Sequence, residues 1–127
     1  MAFNILIVDD SPDMRGFVRR VLELSGIPVG TCLDAADGRE ALDLLRAERV
    51  DLILTEINLP AMDGEQMLRI LAADSALRTI PVIVVSADCT ARTVNTMQAL
   101  GAKGFLAKPF LPENLRAEVA KVLGSIH

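Results

Sequence analysis

The chain has 127 residues, half of them apolar, a length that predicts one globular domain spanning residues 1–127. Its formal charge is -4, with acidic and basic residues interspersed, which argues against a nucleic-acid-binding surface built from clustered lysine and arginine. The longest apolar run, residues 80–85, is too short to cross a membrane, and the first residues lack the pattern of a signal peptide. We therefore expect a cytoplasmic protein whose two cysteines, Cys32 and Cys89, are free thiols.

Short apolar runs alternate with amphipathic helical patterns along the whole chain. The runs predict strands at residues 3–8, 29–33, 52–55, 81–85 and 103–107. Residues typical of helix starts and ends lie between these strands. The first helix is predicted between Ser11-Pro12 and Gly26, and capping boxes of Asp37 with Glu40 and Asp63 with Gln66 begin the second and third. The fourth covers residues 90–100 and stops at Gly101, and the fifth runs from Pro112 to Gly124. Five strands alternating with five helices predict an α/β fold with a parallel sheet covered on both faces.

Polar residues follow four of the five predicted strands. Asp9-Asp10 follow the first strand and Glu56 the third, while Ser86 ends the fourth and Lys108 follows the fifth. Because ligands of open parallel sheets bind beyond the carboxyl ends of the strands, we expect these side chains to converge at one edge.

Carboxylate oxygens without histidine or cysteine nearby favour Mg2+ over zinc. A divalent cation and Lys108 would relieve the repulsion between neighbouring carboxylates. Ser86 and Lys108 are suited to contact phosphoryl oxygens as well. The pattern therefore indicates a site that transfers or holds a phosphoryl group.

Four motifs at these strand ends resemble the response-regulator receiver family of two-component signalling. They are ILIVDD at residues 5–10, DLILTEINLPAMDG at 51–64, VVSA at 84–87 and GAKGFLAKPF at 101–110. Together they span almost the whole chain in the order that the family has. The resemblance implies a flavodoxin-like, doubly wound sheet with strand order 2-1-3-4-5.

The resemblance also implies a role for each residue at the strand ends. Asp9, Asp10, the position of Glu56 and the backbone carbonyl of Asn58 would hold Mg2+, with Asp10 as a direct ligand and Asp9 acting through water. Lys108 would contact the acceptor carboxylate, and its bond to Pro109 would be cis.

Switching and partner binding are also implied by the resemblance. Ser86 and Phe105 would form the switch pair, and Asn58 and Asp88 would tune dephosphorylation. The expected partners are a sensor histidine kinase or phosphotransfer protein, and an output protein that binds the face formed by residues 90–123. Such a domain is a switch and not a turnover enzyme.

The chain departs from the family at Glu56, where the phosphate-accepting residue is an aspartate. The extra methylene adds about 1.5 Å of reach, against a tolerance of roughly 0.5 Å in a preorganised site. We therefore expect that Glu56 is not phosphorylated. Because a carboxylate carries less charge and fewer acceptor oxygens than a phosphoryl group, we also expect a mostly inactive switch, with Phe105 outward or mixed. An alternative for the pocket is that Glu56 pairs with Lys108 and fills it.

Two origins of Glu56 are considered. It is either an engineered replacement that blocks or mimics phosphorylation, which the otherwise complete site favours, or a feature of a natural receiver that signals by binding alone. A third hypothesis, an aspartate-nucleophile phosphatase, requires an acid two residues after Asp9, where the chain has Ser11. A phosphate-binding P-loop is also missing from the sequence.

Taken singly, most of these residues have simpler interpretations. Asp9-Asp10 would be a helix-capping pair, Ser86 a strand-end hydroxyl, Phe105 a core aromatic and Lys108 a solvated charge. Their joint occurrence at neighbouring strand ends is what favours the functional interpretation.

Overall fold

The computed structural model describes residues 2–124 and contains one five-stranded parallel sheet. The strands run in the order β2-β1-β3-β4-β5, as the resemblance implied. Their bounds are β1 Phe3–Val8, β2 Val29–Ala35, β3 Leu52–Thr55, β4 Val82–Ser86 and β5 Gly104–Ala107. The structure therefore confirms the predicted flavodoxin-like, doubly wound α/β fold.

Five helices connect or follow the strands. Their bounds are α1 Pro12–Ser25, α2 Gly38–Ala47, α3 Gly64–Ala73, α4 Ala91–Ala99 and α5 Pro112–Leu123. Strand β2 runs two residues further than predicted, because the ladder with β1 continues to the pair Val8 and Ala35. Strand β4 lies one residue later than predicted and ends at Ser86, which is paired with Ala107 of β5.

The helices cover the two faces of the sheet in unequal numbers. Helices α1 and α5 pack on one face, where Val18, Leu22 and Leu115 are fully or almost fully buried. Helices α2, α3 and α4 cover the other face, and α4 buries a single side chain there, Met97. Alternate residues of each strand point to opposite faces, which gives each layer its own apolar cluster.

The capping residues predicted from sequence set most helix starts. Asp63 and Gln66 form both bonds of a capping box at α3. At α2 the prediction was only half right: Asp37 accepts from the backbone of Glu40, but Glu40 reaches back to the amide of Ala36 instead of Asp37. Both arrangements satisfy amides that the helix itself leaves unpaired.

The structure also agrees with the predictions for one proline bond, the two cysteines and the end of α1. The Lys108-Pro109 bond is cis, and Cys32 and Cys89 are free thiols. Gly26 ends α1 with φ 79°, a left-handed conformation that favours glycine. Within residues 2–124, no helix has the length and apolar character needed to span a membrane.

Candidate functional site

The carboxyl ends of β1, β3, β4 and β5 meet at one edge of the sheet, as predicted. The register pairs Val8 with Thr55, so that Asp9 and Glu56 follow neighbouring strands at the same level. The amide of Glu56 donates to the carbonyl of Val8 (2.9 Å), and the amide of Lys108 donates to that of Ser86 (3.0 Å). These backbone bonds extend the ladders by one residue and fix where each functional side chain begins.

Lys108 is the centre of the site. Its ammonium donates to Asp9 Oδ2 at 2.8 Å and to Glu56 Oε1 at 2.9 Å. All three side chains are mostly buried: Lys108 and Glu56 are each 13% exposed, and Asp9 is 6% exposed. One lysine therefore bridges two carboxylates that would otherwise repel each other in a partly buried pocket.

The remaining carboxylate oxygens of the bridge are bonded too. Asp9 Oδ1 accepts from the amide of Ser11 at 2.9 Å, and Glu56 Oε2 accepts from the amide of Ile57 at 2.7 Å. Each of the four oxygens thus has a donor. The longer side chain of Glu56 folds back onto its own neighbour and onto Lys108.

The pKa of Lys108 is raised above its ordinary value by this arrangement. Partial burial by itself would lower it, but the hydrogen bonds to Asp9 and Glu56 and the negative charges of both carboxylates outweigh that effect. Lys108 is therefore a fixed positive charge in the pocket at neutral pH.

Asp10 and Asn58 are not part of this bridge, and the expected role of Asp9, Asp10, Glu56 and Asn58 as metal ligands stays a prediction. Both residues are exposed, and Asp10 makes no hydrogen bond or ion pair within residues 2–124. In the same range, no three His, Cys, Asp or Glu side chains lie close enough together to hold a metal ion. One lysine offsets part of the repulsion between Asp9 and Glu56, and the exposed carboxylate of Asp10 remains solvated.

Ser86 is buried and is engaged by its own loop. Its Oγ accepts from the amide of Asp88 at 3.1 Å. The Asp88 carboxylate in turn accepts from the hydroxyls of Thr90 (3.2 Å) and Thr93 (3.0 Å) at the start of α4. These bonds hold the pKa of the Asp88 carboxyl below its usual value. A chain of hydrogen bonds therefore links Ser86 to the first turn of α4.

Phe105 lies on the edge strand β5, half-buried against the cluster under α2, α3 and α4. Its amide donates to Glu118 Oε1 of α5 at 3.1 Å. Glu118 thereby fastens α5 to the edge of the sheet. The sequence did not indicate this contact, because the spacing of thirteen residues follows no local pattern.

Two residues that the sequence analysis missed shape the pocket. Arg15 donates to the backbone carbonyl of Asp9 at 2.6 Å, and its guanidinium also lies 3.6 Å from Asp34 of β2. Gly64 donates its amide to the carbonyl of Ile57 at 2.8 Å and lets the Glu56 carbonyl approach α3. The spacing of Arg15 and Arg19, one helical turn apart, could have indicated the contacts of Arg15 from the sequence.

The donors near the bridge suit a hard divalent cation. They are carboxylate oxygens, which select Mg2+ or Mn2+ and not zinc. The pocket contains three carboxylates, those of Asp9, Asp10 and Glu56, and one ammonium, that of Lys108. Two negative charges therefore remain for a cation to balance. A cation would share oxygens that already accept hydrogen bonds, since each carboxylate oxygen has two lone pairs.

Comparison with known proteins agrees with this geometry. Residues 5–120 match the model of the response regulator receiver domain family. The chemotaxis protein CheY of Pseudomonas aeruginosa is 31% identical over 124 residues, covering 98% of both chains. The structure of the chemotaxis response regulator CheY4 of Vibrio cholerae is similar with a TM-score of 0.84 and 30% identity, covering 95% of this chain and 98% of that one.

A third similar structure bears on the metal. It is the receiver domain of a sensor histidine kinase of Pseudomonas aeruginosa, with a TM-score of 0.85, 27% identity, and coverage of 98% of this chain and 100% of that one. That structure has a magnesium ion coordinated in its active site cleft.

Proposed function

This chain belongs to the response regulator receiver domain family of two-component signalling, and from that premise we propose that it is a receiver that does not accept a phosphoryl group at position 56. In this proposal residues 1–127 act as one receiver domain. The pocket keeps the lysine and the acidic pair of the family, while its acceptor position is occupied by Glu56.

The observation that carries the proposal is the bridge from Lys108 to Asp9 and Glu56. A phosphate acceptor needs a carboxylate oxygen positioned to attack phosphorus in line with the leaving group. Both oxygens of Glu56 are held, one by Lys108 at 2.9 Å and one by the Ile57 amide at 2.7 Å. The extra methylene also displaces the carboxylate by about 1.5 Å, more than a preorganised site tolerates.

The metal assignment is part of the same proposal. Asp9, Asp10, Glu56 and the Asn58 carbonyl would hold Mg2+ once these groups move together around it, and the bound cation would attract the oxygens of a phosphoryl group. Lys108 already offsets part of the negative charge of the pocket, so we propose that Mg2+ competes with the bridge and binds weakly. Ser86 supplies a hydroxyl at the same edge of the sheet, and with Phe105 it would form the switch.

A partner surface adjoins the pocket. A cavity of about 510 Å³ opens beside Lys108 and is lined by Met14, Phe17, Ala87 and Pro109. Phe17 packs edge-on against Phe110, with ring centroids 5.5 Å apart. We propose that a sensor histidine kinase or a phosphotransfer protein docks here, and that an output protein binds the face formed by residues 90–123.

The bridge gives weight to the second candidate function, a receiver that signals by binding alone. Asp9 and Glu56 are held by Lys108 and by backbone amides, so the pocket needs neither phosphate nor metal to keep its shape. Whether Glu56 is native or engineered is decided by codon 56 of the source gene: a glutamate codon supports the binding module, and an aspartate codon supports a blocked phosphorelay receiver.

The proposal is tested by phosphorylation with a small donor. The chain and Glu56→Asp are incubated with acetyl phosphate and Mg2+ and analysed by intact-mass and peptide mass spectrometry. We expect an adduct of phosphate mass on Glu56→Asp, mapped to position 56, and none on the chain itself. A phosphate adduct mapped to Glu56 would contradict the proposal.

A further inference from the structure

Two adjoining cavities lie at the end of the sheet opposite to Lys108. Both are lined by the loops before β4 and β5, where the amino ends of the strands meet. The last turn of α5 adds to the larger cavity and the second half of α3 to the smaller. The larger measures about 470 Å³ and is lined by Arg78, Lys103 and Lys121 together with Ile80, Pro81 and Val122. We call the pair the amino-end cavities.

The larger cavity collects positive charge on an acidic protein. Three cations line it and no acidic residue does, although the chain carries a net charge of -4. Lys121 has a local reason to be there, because it lies in the last turn of α5, where cations balance the helix dipole, and pairs with Glu118. Arg78 and Lys103 lie outside any helix and make no ion pair within residues 2–124.

The smaller cavity is mostly apolar and continues the first. It measures about 190 Å³ and shares Arg78, Ile80, Gly101 and Lys103 with its neighbour. Its deeper wall is made by Leu68, Leu71, Val82 and Leu100. An aliphatic side chain that entered it would hold neighbouring acidic groups against Arg78 and Lys103.

We propose that the amino-end cavities bind an acidic segment of a partner protein, with one aliphatic side chain in the smaller cavity and flanking carboxylates on Arg78, Lys103 and Lys121. Charge complementarity selects an acidic occupant, and the apolar cavity selects a peptide over a simple anion. A nucleic acid would require a longer row of cations than three. The site is separate from the Lys108 pocket and does not depend on the state of Glu56.

The test is a titration of the full chain, labelled with 15N, followed by amide chemical shifts. The probe is the acetylated and amidated peptide Glu-Glu-Leu-Glu-Glu, compared with Glu-Glu-Ser-Glu-Glu, Lys-Lys-Leu-Lys-Lys and inorganic phosphate. The double variant Arg78→Gln/Lys103→Gln removes two cations from the site. The matched control, Arg39→Gln/Arg92→Gln, removes two exposed cations from α2 and α4.

We expect shifts at Ile80, Gly101 and Lys103 with the leucine peptide, at a Kd on the order of 1 mM for two or three exposed ion pairs and one buried side chain. Arg78→Gln/Lys103→Gln is expected to weaken this binding by about tenfold, whereas the control pair leaves it within about twofold. The serine and lysine peptides are expected to produce markedly smaller shifts.

Three results would overturn the proposal. If the control pair weakened binding of the leucine peptide equally, the loss of affinity would come from the change in net charge and not from the cavity. Equal shifts from phosphate or from the serine peptide would make the feature an anion site without a peptide preference. An absence of shifts at these residues with the leucine peptide at about ten times the expected Kd would leave Arg78 and Lys103 as solvated charges.

Discussion

Lys108 determines the character of the pocket at the scale of single residues. Its ammonium donates to a carboxylate on either side, and both partners are mostly buried. Removing one member of such a group is more costly than the net value of the ion pair, because the remaining charges lose both solvent and partner. The lysine is therefore as important for the stability of the chain as for any chemistry at Glu56.

We predict that Lys108→Met lowers the free energy of unfolding by about 3 kcal/mol, since the methionine keeps the volume of the stem but leaves Asp9 and Glu56 without a cation. Chemical denaturation at neutral pH measures this. The control is Lys103→Met, an exposed lysine without an ion pair within residues 2–124, for which we expect a change under about 0.5 kcal/mol. Equal effects of the two substitutions would contradict the bridge.

The raised pKa of Lys108 gives the same bridge a pH dependence. A group whose pKa is higher in the folded state stabilises the fold fully below its ordinary value, here 10.5, and loses that contribution as the pH rises through the folded value. The difference in unfolding free energy between the chain and Lys108→Met should therefore be constant near neutral pH and shrink above about 10.5. A difference that stays constant to pH 12 would mean that the pKa of Lys108 is not coupled to folding.

Magnesium binding is predicted to depend on Asp10. With a millimolar Kd, Mg2+ at ten times that concentration stabilises the folded chain by about 1.4 kcal/mol, seen as a rise in melting temperature. Asp10→Ala is expected to abolish most of this rise, whereas Asp43→Ala, which removes an exposed carboxylate from α2, leaves it intact. If Mg2+ did not change the melting temperature of the unaltered chain, Lys108 would have replaced the metal entirely.

At the scale of elements, the loop from β3 to α3 positions Glu56. A Cβ on Gly64 would lie 2.7 Å from the Glu56 carbonyl oxygen and 2.9 Å from the Cα of Ile57. Backbone atoms at such distances cannot yield without moving the loop. The close approach of α3 to the backbone of Glu56 therefore requires a residue without a Cβ at position 64.

We predict that Gly64→Ala destabilises the chain by about 2 kcal/mol, because the added methyl group overpacks this contact. Gly16→Ala is the matched control: it lies inside α1 with open space around its missing Cβ, and alanine there should stabilise by about 0.5 kcal/mol. Thermal denaturation of both variants separates the outcomes. A neutral Gly64→Ala would show that the loop relaxes at little cost.

The sequence predicted the elements better than the contacts between them. Alternation of apolar runs and helical patterns located all ten elements, because β3 and β4 are buried at every residue and α1 to α4 each begin at a side chain that caps the helix. The carboxyl-end rule also brought Asp9, Glu56, Ser86 and Lys108 to one edge. The position of Asp10 and the bonds made by Arg15 and Glu118 depend on tertiary distances, which no local pattern encodes.

At the scale of the whole molecule, the structure links the pocket to the face of residues 90–123. Ser86 bonds to the Asp88 amide, and the Asp88 carboxylate holds the hydroxyls at the start of α4. Helix α4 buries only Met97, so its position depends strongly on this first turn. Movement of Ser86 toward Glu56 would have to break its bond to the Asp88 amide, and Glu56 is held by Lys108 instead.

We propose that Glu56 neither accepts nor mimics a phosphoryl group, and amide spectra of the chain and of Glu56→Asp can contradict this claim. Each is recorded before and after addition of acetyl phosphate and Mg2+. We predict that amides of residues 86–107 move in Glu56→Asp on phosphorylation, while those of the chain stay at the positions of unphosphorylated Glu56→Asp. Two results would contradict the claim. In the first, the amide chemical shifts of the chain already match those of phosphorylated Glu56→Asp. In the second, they change on addition of acetyl phosphate as those of the variant do.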